Sequence, residues 1–192
     1  GLIIYISDKL LKFKKQYKHI LIISDSYVPQ KTSAAGMMYN LSQVLVKKKF
    51  IITCAFSGKL KKNIKNNYKL SQTNLISTNI FQSFRDKSRI FRFIFEISTA
   101  IILAIKCYFY FKNKQLYLIV WYGPSVFLWI VVKAVNFSKQ VPVYYVLRDI
   151  FPDWLIFLKL VKNSFIIWLL KKLSDPQYTV SDIIGVETKE NL

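Results

Sequence analysis

The chain has 192 residues, enough for one large domain or two small ones with a substantial hydrophobic core. Hydrophobic residues make up 53% of it and aromatic residues 16%, which excludes a disordered or low-complexity protein. Its formal charge of +19 favours an anionic partner: a membrane face, phosphates or nucleic acid. Since nearly all of the basic residues are lysine, and Ile, Asn and Phe are also abundant, an AT-rich genome explains the same excess, and both explanations stay open.

Residues 1–18 mix apolar side chains with lysines and are predicted to form a basic N-terminal extension, either a short amphipathic helix on anionic lipid or a solvated leader. A continuous apolar run follows at 19–24 and predicts a strand that is covered on both faces. Loop residues 25–33 lead into a helix predicted for 34–48, and 50–56 is the next apolar strand. This order indicates the βαβ unit of a parallel sheet.

The same alternation continues to the end of the chain. Further strands are predicted at 74–80, 116–121, 143–147 and 182–187. Helices are predicted at 87–112, 126–137 and 154–173, the last one interrupted near 163–164. Thr188 is expected to cap a final helix that the chain barely enters, so we expect the chain to be a fragment. Because it contains no internal repeat and no linker, residues 19–192 are predicted to form one α/β domain.

The cysteines and the histidine predict no metal chemistry. Cys54 and Cys107 lie in apolar stretches without metal or redox spacing, which favours buried thiols in a reducing compartment over a disulfide. His19 is the only histidine of the chain, so an ordinary metal site is not expected.

Two apolar stretches approach the length of a membrane-spanning helix. Residues 116–132 carry no charge, but the turn at 122–125 divides them into a strand and a helix. Residues 93–111 contain Glu96 and Lys106, each costly at the centre of a bilayer. The alternation of strands and helices on both sides favours a soluble or peripheral protein over an integral membrane protein.

Two groups of polar residues follow predicted strands, at the sheet edge where parallel α/β proteins bind ligands. The first, after strand one, contains Asp25, Tyr27, Pro29, Thr32, Ser33 and Gly36. Small residues at this helix start allow a phosphate to approach the backbone N–H groups, although an ordinary capped helix explains the same residues. The second is the sequence from Arg148 to Asp153, in which Arg148 offers a fixed fork for phosphate or carboxylate; a purely structural Arg–Asp pair is the alternative.

The first βαβ segment, ILIISDSYVPQKTSAAGMMYNLSQVLVKKKFIITCAF, resembles the start of the retaining glycosyltransferases of family 4, which have the GT-B fold. Four later segments continue the resemblance in the same order: Tyr122-Gly-Pro-Ser125, Val141-Pro142 with its strand, Arg148-Asp-Ile-Phe-Pro-Asp153 and the stretch from Val180 to Leu192. The similarity runs from about His19 to the last residue, and together these segments are similar to the branch that builds O-antigen and capsular polysaccharide, including L-fucosamine transferase-like enzymes.

The resemblance implies a Rossmann-like parallel sheet flanked by helices, the N-terminal, acceptor-side half of a GT-B enzyme, with the donor-binding domain absent from this chain. It implies transfer of a sugar, with retention, from a nucleotide-sugar donor to a lipid-diphosphate-linked or polysaccharide acceptor. No metal, cofactor or protein nucleophile is implied, so the protein's contribution is positioning and stabilisation of leaving-group charge. The expected location is the cytoplasmic face of the bacterial plasma membrane, as a peripheral protein, and the isolated chain is expected to be inactive.

The chain departs from the family at two points. The sequence Ser33-Ala34-Ala35-Gly36 stands where many members carry Gly-Gly, and Arg148 stands where many carry a histidine, so the role of a catalytic histidine does not transfer. Arg148 and Asp149 are the candidate catalytic residues. The candidate substrate- and phosphate-binding residues are Tyr27, Thr32, Ser33, Ala35, Gly36, Tyr122 and Gly123.

A non-enzymatic basic module is the alternative function. Lysine-rich patches at 47–49 and 59–65 would suit binding to a membrane surface or to nucleic acid. The sequence contains no RNA-binding signature, zinc finger or helix-turn-helix, and no nucleic-acid partner is expected.

Overall fold

The computed structural model describes residues 18–58, 68, 73–78, 89–123, 125–148 and 150–186. Its strands are β1 (His19–Ser24), β2 (Ile51–Ser57), β3 (Thr73–Thr78), β4 (Leu118–Tyr122), β5 (Val143–Leu147) and β6 (Ile183–Val186). Its helices are α1 (Ser33–Lys47), α2 (Arg89–Phe111), α3 (Trp129–Lys139), α4 (Asp153–Phe157) and α5 (Ser164–Thr179), with a 3₁₀ turn at Val126–Leu128 before α3.

The six strands form one parallel sheet in the order β3-β2-β1-β4-β5-β6. The chain builds outward from β1 to β3 on one side and then crosses back to place β4 to β6 on the other. The direction of winding reverses between β1 and β4, and the carboxyl ends of the strands at such a point are where open α/β sheets bind ligands. This arrangement confirms the predicted Rossmann-like α/β fold.

Both faces of the sheet are buried. Alternate residues of β1 point to opposite sides: Ile20 and Ile22 pack against α1, whereas Leu21 and Ile23 pack against the layer of α2 and α3. Each of these four side chains is at most 1% exposed. Burial on both sides explains why β1 reads as an uninterrupted apolar run rather than an alternating one.

Two predicted helices differ from the structure. The segment predicted as a helix at 126–137 begins with the 3₁₀ turn, and α-helix starts only at Trp129. The segment predicted at 154–173 is two helices, and the second continues to Thr179 through Pro176. Pro176 removes one backbone bond to the carbonyl of Lys172, which lies in an exposed turn where water can replace the lost donor. Asn163 caps this second helix, which explains the predicted interruption.

Strand bounds agree with the sequence prediction to within two residues, where they are described. The basic extension predicted for 1–18 lies outside the described residues apart from Lys18, and so does the helix predicted to begin at Thr188.

The two cysteines are buried free thiols, as predicted. Cys54, in β2, faces α1, and Cys107, on the inner side of α2, faces the opposite side of the sheet. Burial raises the pKa of each thiol to about 12.

Helix α2 covers one face of the sheet and is apolar on both of its own sides. Its inner residues Ala100, Leu103, Ala104, Cys107 and Phe111 are buried. Within the described part of the chain, this helix alone is long and apolar enough to cross a bilayer, over Ile94–Phe111, and 28% of that window is buried in the fold. This helix packs on β2, β3 and α3, and it therefore forms part of the helical layer on that face of the sheet.

Gly123 has no room for a side chain, which generates the first prediction. A Cβ at this position would lie 2.7 Å from the hydroxyl oxygen of Tyr145. The Tyr145 ring cannot easily retreat, because it stacks on Trp121 at a centroid distance of 3.8 Å and its hydroxyl donates to Gln177. We expect Gly123→Ala to lower the free energy of unfolding by about 1–3 kcal/mol, measured by urea denaturation.

Gly36→Ala is the matched control, since no atom lies within 4 Å of its Cβ position. A helical Gly→Ala change in open space should raise stability by about 0.5 kcal/mol. Equal effects of the two substitutions would contradict the packing argument at Gly123.

Candidate functional site

The candidate site lies where β1, β4 and β5 end side by side. The register pairs Ser24 with Tyr122, and Tyr122 in turn with Val146. The residues that follow these strands therefore meet at one edge of the sheet, next to the first turn of α1.

Arg148 connects the three elements. Its Nη1 donates to Ser33 Oγ at 2.9 Å and to the hydroxyl of Tyr122 at 3.0 Å. Arg148 is exposed, whereas the Tyr122 side chain is buried in the sheet and reaches this contact with its hydroxyl group. The guanidinium group is thus held over the N-terminus of α1 by two hydroxyls, at the edge where it faces solvent.

The N-terminus of α1 is capped, yet it keeps donors. Thr32 is the N-cap residue, and its Oγ1 accepts a hydrogen bond from the N–H of Ala35 at 3.1 Å. The N–H of Gly36 bonds the carbonyl of Thr32. Ser33 and Ala34 are the residues nearest to the positive end of the helix dipole, and among the described residues their N–H groups have no hydrogen-bond acceptor.

A chain of hydroxyl groups fixes this cap. Ser26 Oγ donates to Asp25 Oδ1 at 3.2 Å, so the 2.8 Å contact between Ser26 and Thr32 requires the Thr32 hydroxyl to donate to Ser26. Ser24 Oγ also donates to Asp25 Oδ1, at 3.4 Å. Burial raises the pKa of the Asp25 carboxyl and outweighs these hydrogen bonds, which act in the opposite direction.

Several predicted site residues lie beneath the surface instead of on it. Tyr27 is 1% exposed, and its hydroxyl lies 2.7 Å from Ser42 Oγ inside the core. Ala35 is also buried, and Gly123 lies under the ring of Tyr145. These three residues can shape the site but do not present a side chain to a ligand at this edge.

Thr32, Ser33 and Gly36 lie at or near the surface beside Arg148, so the structure brings this part of the predicted set together. Asp149, the second predicted catalytic residue, lies outside the described residues. The prediction from sequence did not include Ser24 and Ser26. Their position directly around the first acidic residue after an apolar strand is the signal that could have identified them.

The arrangement is suited to holding an anion. A guanidinium fork, two backbone N–H groups and a helix dipole converge on the same edge. In the described part of the chain, no group of three or more His, Cys, Asp or Glu side chains is placed to hold a metal ion.

The chain matches no protein-family model and no curated protein. The resemblance to the glycosyltransferases therefore depends on the residues and motifs given above.

Asp25 generates the second prediction. Because burial raises its pKa in the folded state above the unfolded value, the folded protein loses stability as pH rises through that folded pKa and the carboxyl ionises. We expect Asp25→Asn to be more stable than the wild type at pH 8, with a difference that narrows as the pH falls towards 4. Urea denaturation at a series of pH values measures this difference.

Asp175→Asn, which removes an exposed carboxyl group from α5, is the control for the loss of one acidic side chain. A variant whose deficit in stability grows as the pH rises would mean that the hydrogen bonds from Ser24 and Ser26 outweigh the cost of burial, and a difference that is constant at every pH would mean that the two effects cancel.

Proposed function

We propose that this chain is the acceptor-side domain of a retaining glycosyltransferase similar to family 4. In this proposal the complete enzyme transfers a sugar from a nucleotide-sugar donor to a lipid-linked or polysaccharide acceptor during cell-surface glycan synthesis, such as that of O-antigen or capsule. It acts in the cytoplasm as a peripheral protein on the inner face of the bacterial plasma membrane.

The observation that carries the proposal is the contact of Arg148 with Ser33 and Tyr122. These residues come from three separate motifs of the resemblance, and Arg148 and Ser33 are 115 positions apart. The hydroxyls of Ser33 and Tyr122 both lie within 3.0 Å of one guanidinium nitrogen of Arg148, at the edge of a parallel sheet where ligands bind. If Arg148, Ser33 and Tyr122 had only structural roles, they would not need to meet at the edge where substrates bind.

The proposed mechanism assigns the charge chemistry to this point. A diphosphate, from the leaving nucleotide or from the lipid acceptor, would accept hydrogen bonds from Arg148 and from the free N–H groups at the start of α1. Ser33 and Tyr122 would hold the guanidinium plane before the ligand arrives, so little reorganisation would be needed as charge develops. Asp25, Ser26 and Thr32 would keep the helix N-terminus in place. No residue is required as a covalent nucleophile.

Arg148 generates the third prediction, a test of anion binding by the chain itself. We expect Arg148→Ala to weaken the binding of inorganic pyrophosphate about 10- to 150-fold, the range for losing a hydrogen-bonded charge contact of about 1.5–3 kcal/mol. Arg148→Lys should restore only part of the affinity, because an ammonium group cannot reproduce the fork. Isothermal titration calorimetry measures each dissociation constant, and thermal denaturation on the same preparation measures stability.

Lys47→Ala is the matched control, since it removes one positive charge from the last turn of the same helix. It should leave the dissociation constant unchanged within about twofold, because the charge is exposed and screened. If Arg148→Ala lowers the melting temperature but keeps full affinity for pyrophosphate, or if the wild type shows no binding, Arg148 has a structural role and the site assignment is wrong.

The fourth prediction concerns activity. Enzymes of the GT-B type react between two domains, so purified residues 1–192 are expected to transfer no sugar from a nucleotide-sugar donor to a polyprenyl-diphosphate acceptor. Transfer of radiolabelled sugar into the lipid fraction is the measurement. Transfer by this chain alone would contradict its assignment as the acceptor-side domain only.

A further inference from the structure

The surface formed by residues 157–172 is unusually apolar for a region in contact with solvent. It includes the end of α4, the turn after it and the first half of α5. Seven of its large hydrophobic side chains are exposed, and Phe157 is 85% exposed and Phe165 67%. The other five are Leu158, Leu160, Ile166, Trp168 and Leu169. Exposed apolar patches of this density usually mark a binding surface.

Helix α5 is attached to the domain through its C-terminal half. Ser174 and Gln177 are each 2% exposed, and the Tyr145 hydroxyl in β5 donates to Gln177 Oε1. Trp121 Nε1 donates to Ser181 Oγ just beyond the helix. The N-terminal half, which carries Phe165 and Trp168, therefore extends from an anchored end instead of being packed over the sheet.

The projecting part has a defined local structure. Asn163 Oδ1 accepts hydrogen bonds from the N–H groups of Phe165 and Ile166, and so caps α5. Lys159 turns the chain between α4 and α5 with a left-handed backbone at φ 53°. The apolar side chains are thus presented on a folded helix pair.

Positive charge surrounds the apolar side chains. The stretch contains Lys159, Lys162, Lys171 and Lys172, all exposed, and no acidic residue. Asp153, the first residue of α4, has its Oδ1 atom 3.9 Å from Nζ of Lys171. Exposed aromatic and aliphatic side chains flanked by lysines are the pattern of an element that lies in the interface of an anionic membrane.

We propose that the 157–172 surface inserts into the headgroup region of an anionic phospholipid bilayer, with its apolar side chains among the acyl chains and its lysines on the lipid phosphates. This inference deepens the peripheral location in the proposed function by naming the surface that makes the contact. Its test measures lipid binding alone, so the failure of either proposal can be recognised separately from the other.

Charge is the reason for preferring a bilayer to a second copy of the chain. Each copy carries a formal charge of +19, and a symmetric contact through this surface would bring its lysines against one another. An anionic bilayer attracts the same lysines, and each lysine near the surface strengthens binding about fivefold.

The experiment compares the chain with variants in flotation assays on vesicles of 30% phosphatidylglycerol and 70% phosphatidylcholine. We expect the wild type to bind, and the combined variant Phe157→Ser, Phe165→Ser and Trp168→Ser to bind about 100-fold or more weakly, because it removes the largest apolar groups. Lys159→Gln with Lys162→Gln should weaken binding about twentyfold. Pure phosphatidylcholine vesicles should bind much less of the wild type.

Phe137→Ser is the matched control, since Phe137 is the same residue type at 84% exposure on α3, outside this surface. It should leave vesicle binding unchanged. Brominated lipids should quench the tryptophan fluorescence of the wild type, and Trp168→Phe should retain binding with much less quenching.

Three results would overturn the proposal. The first is binding by the triple variant as strong as that of the wild type, which would also result if residues 1–18 alone held the chain on vesicles. The second is a loss of binding with Ile105→Ser and Phe109→Ser on α2 but not with the triple variant. The third is a wild-type dimer in analytical ultracentrifugation that the triple variant dissociates, which would make a second copy the occupant. Circular dichroism of each variant confirms that it is folded.

Discussion

Burial of the sheet on both faces is the constraint on which the rest of the structure depends. The central strands β1, β4 and β5 are covered by α1 on one side and by α2 and α3 on the other, so apart from His19 at the start of β1 their side chains are apolar or carry a hydroxyl group. Charged groups are consequently excluded from the middle of the sheet. Asp25 and Arg148 accordingly each come directly after a strand.

A short stretch of chain relates the candidate anion site to the 157–172 surface. Arg148 follows β5, and α4 begins five residues later, at Asp153. In the proposed arrangement, a short connection joins the residue that would bind a diphosphate to the helix pair that would contact lipid. A lipid-linked diphosphate lies at the bilayer surface, so an enzyme that binds it benefits from a short connection between the two elements. The hydrogen bond from Tyr145 to Gln177 in α5, and that from Trp121 to Ser181 just beyond the helix, hold the helix pair on the sheet.

The fold was largely predictable because long apolar runs and capping residues are local signals. The bounds of β1 and β5 agree with the sequence prediction, whereas α5 continues through Pro176 to Thr179, beyond the predicted end at residue 173. Water can replace the hydrogen bond that Pro176 removes, because the carbonyl concerned lies in an exposed turn. The site was predictable only in its location. That Tyr27 turns into the core and that Ser26 meets Thr32 both follow from the path of one loop, and a residue pattern does not contain that path.

The position of the two cysteines has a consequence for the study of local motions. Cys54 lies in β2 under α1, whereas Cys107 lies on the inner face of α2, on the opposite side of the sheet. Both thiols are protonated at neutral pH because burial raises their pKa. An alkylating reagent that attacks thiolates can reach either cysteine only when the helix that packs on that side of the sheet moves away. The alkylation rates of Cys54 and Cys107 therefore report separately how often α1 and α2 detach from the sheet, without any label being introduced.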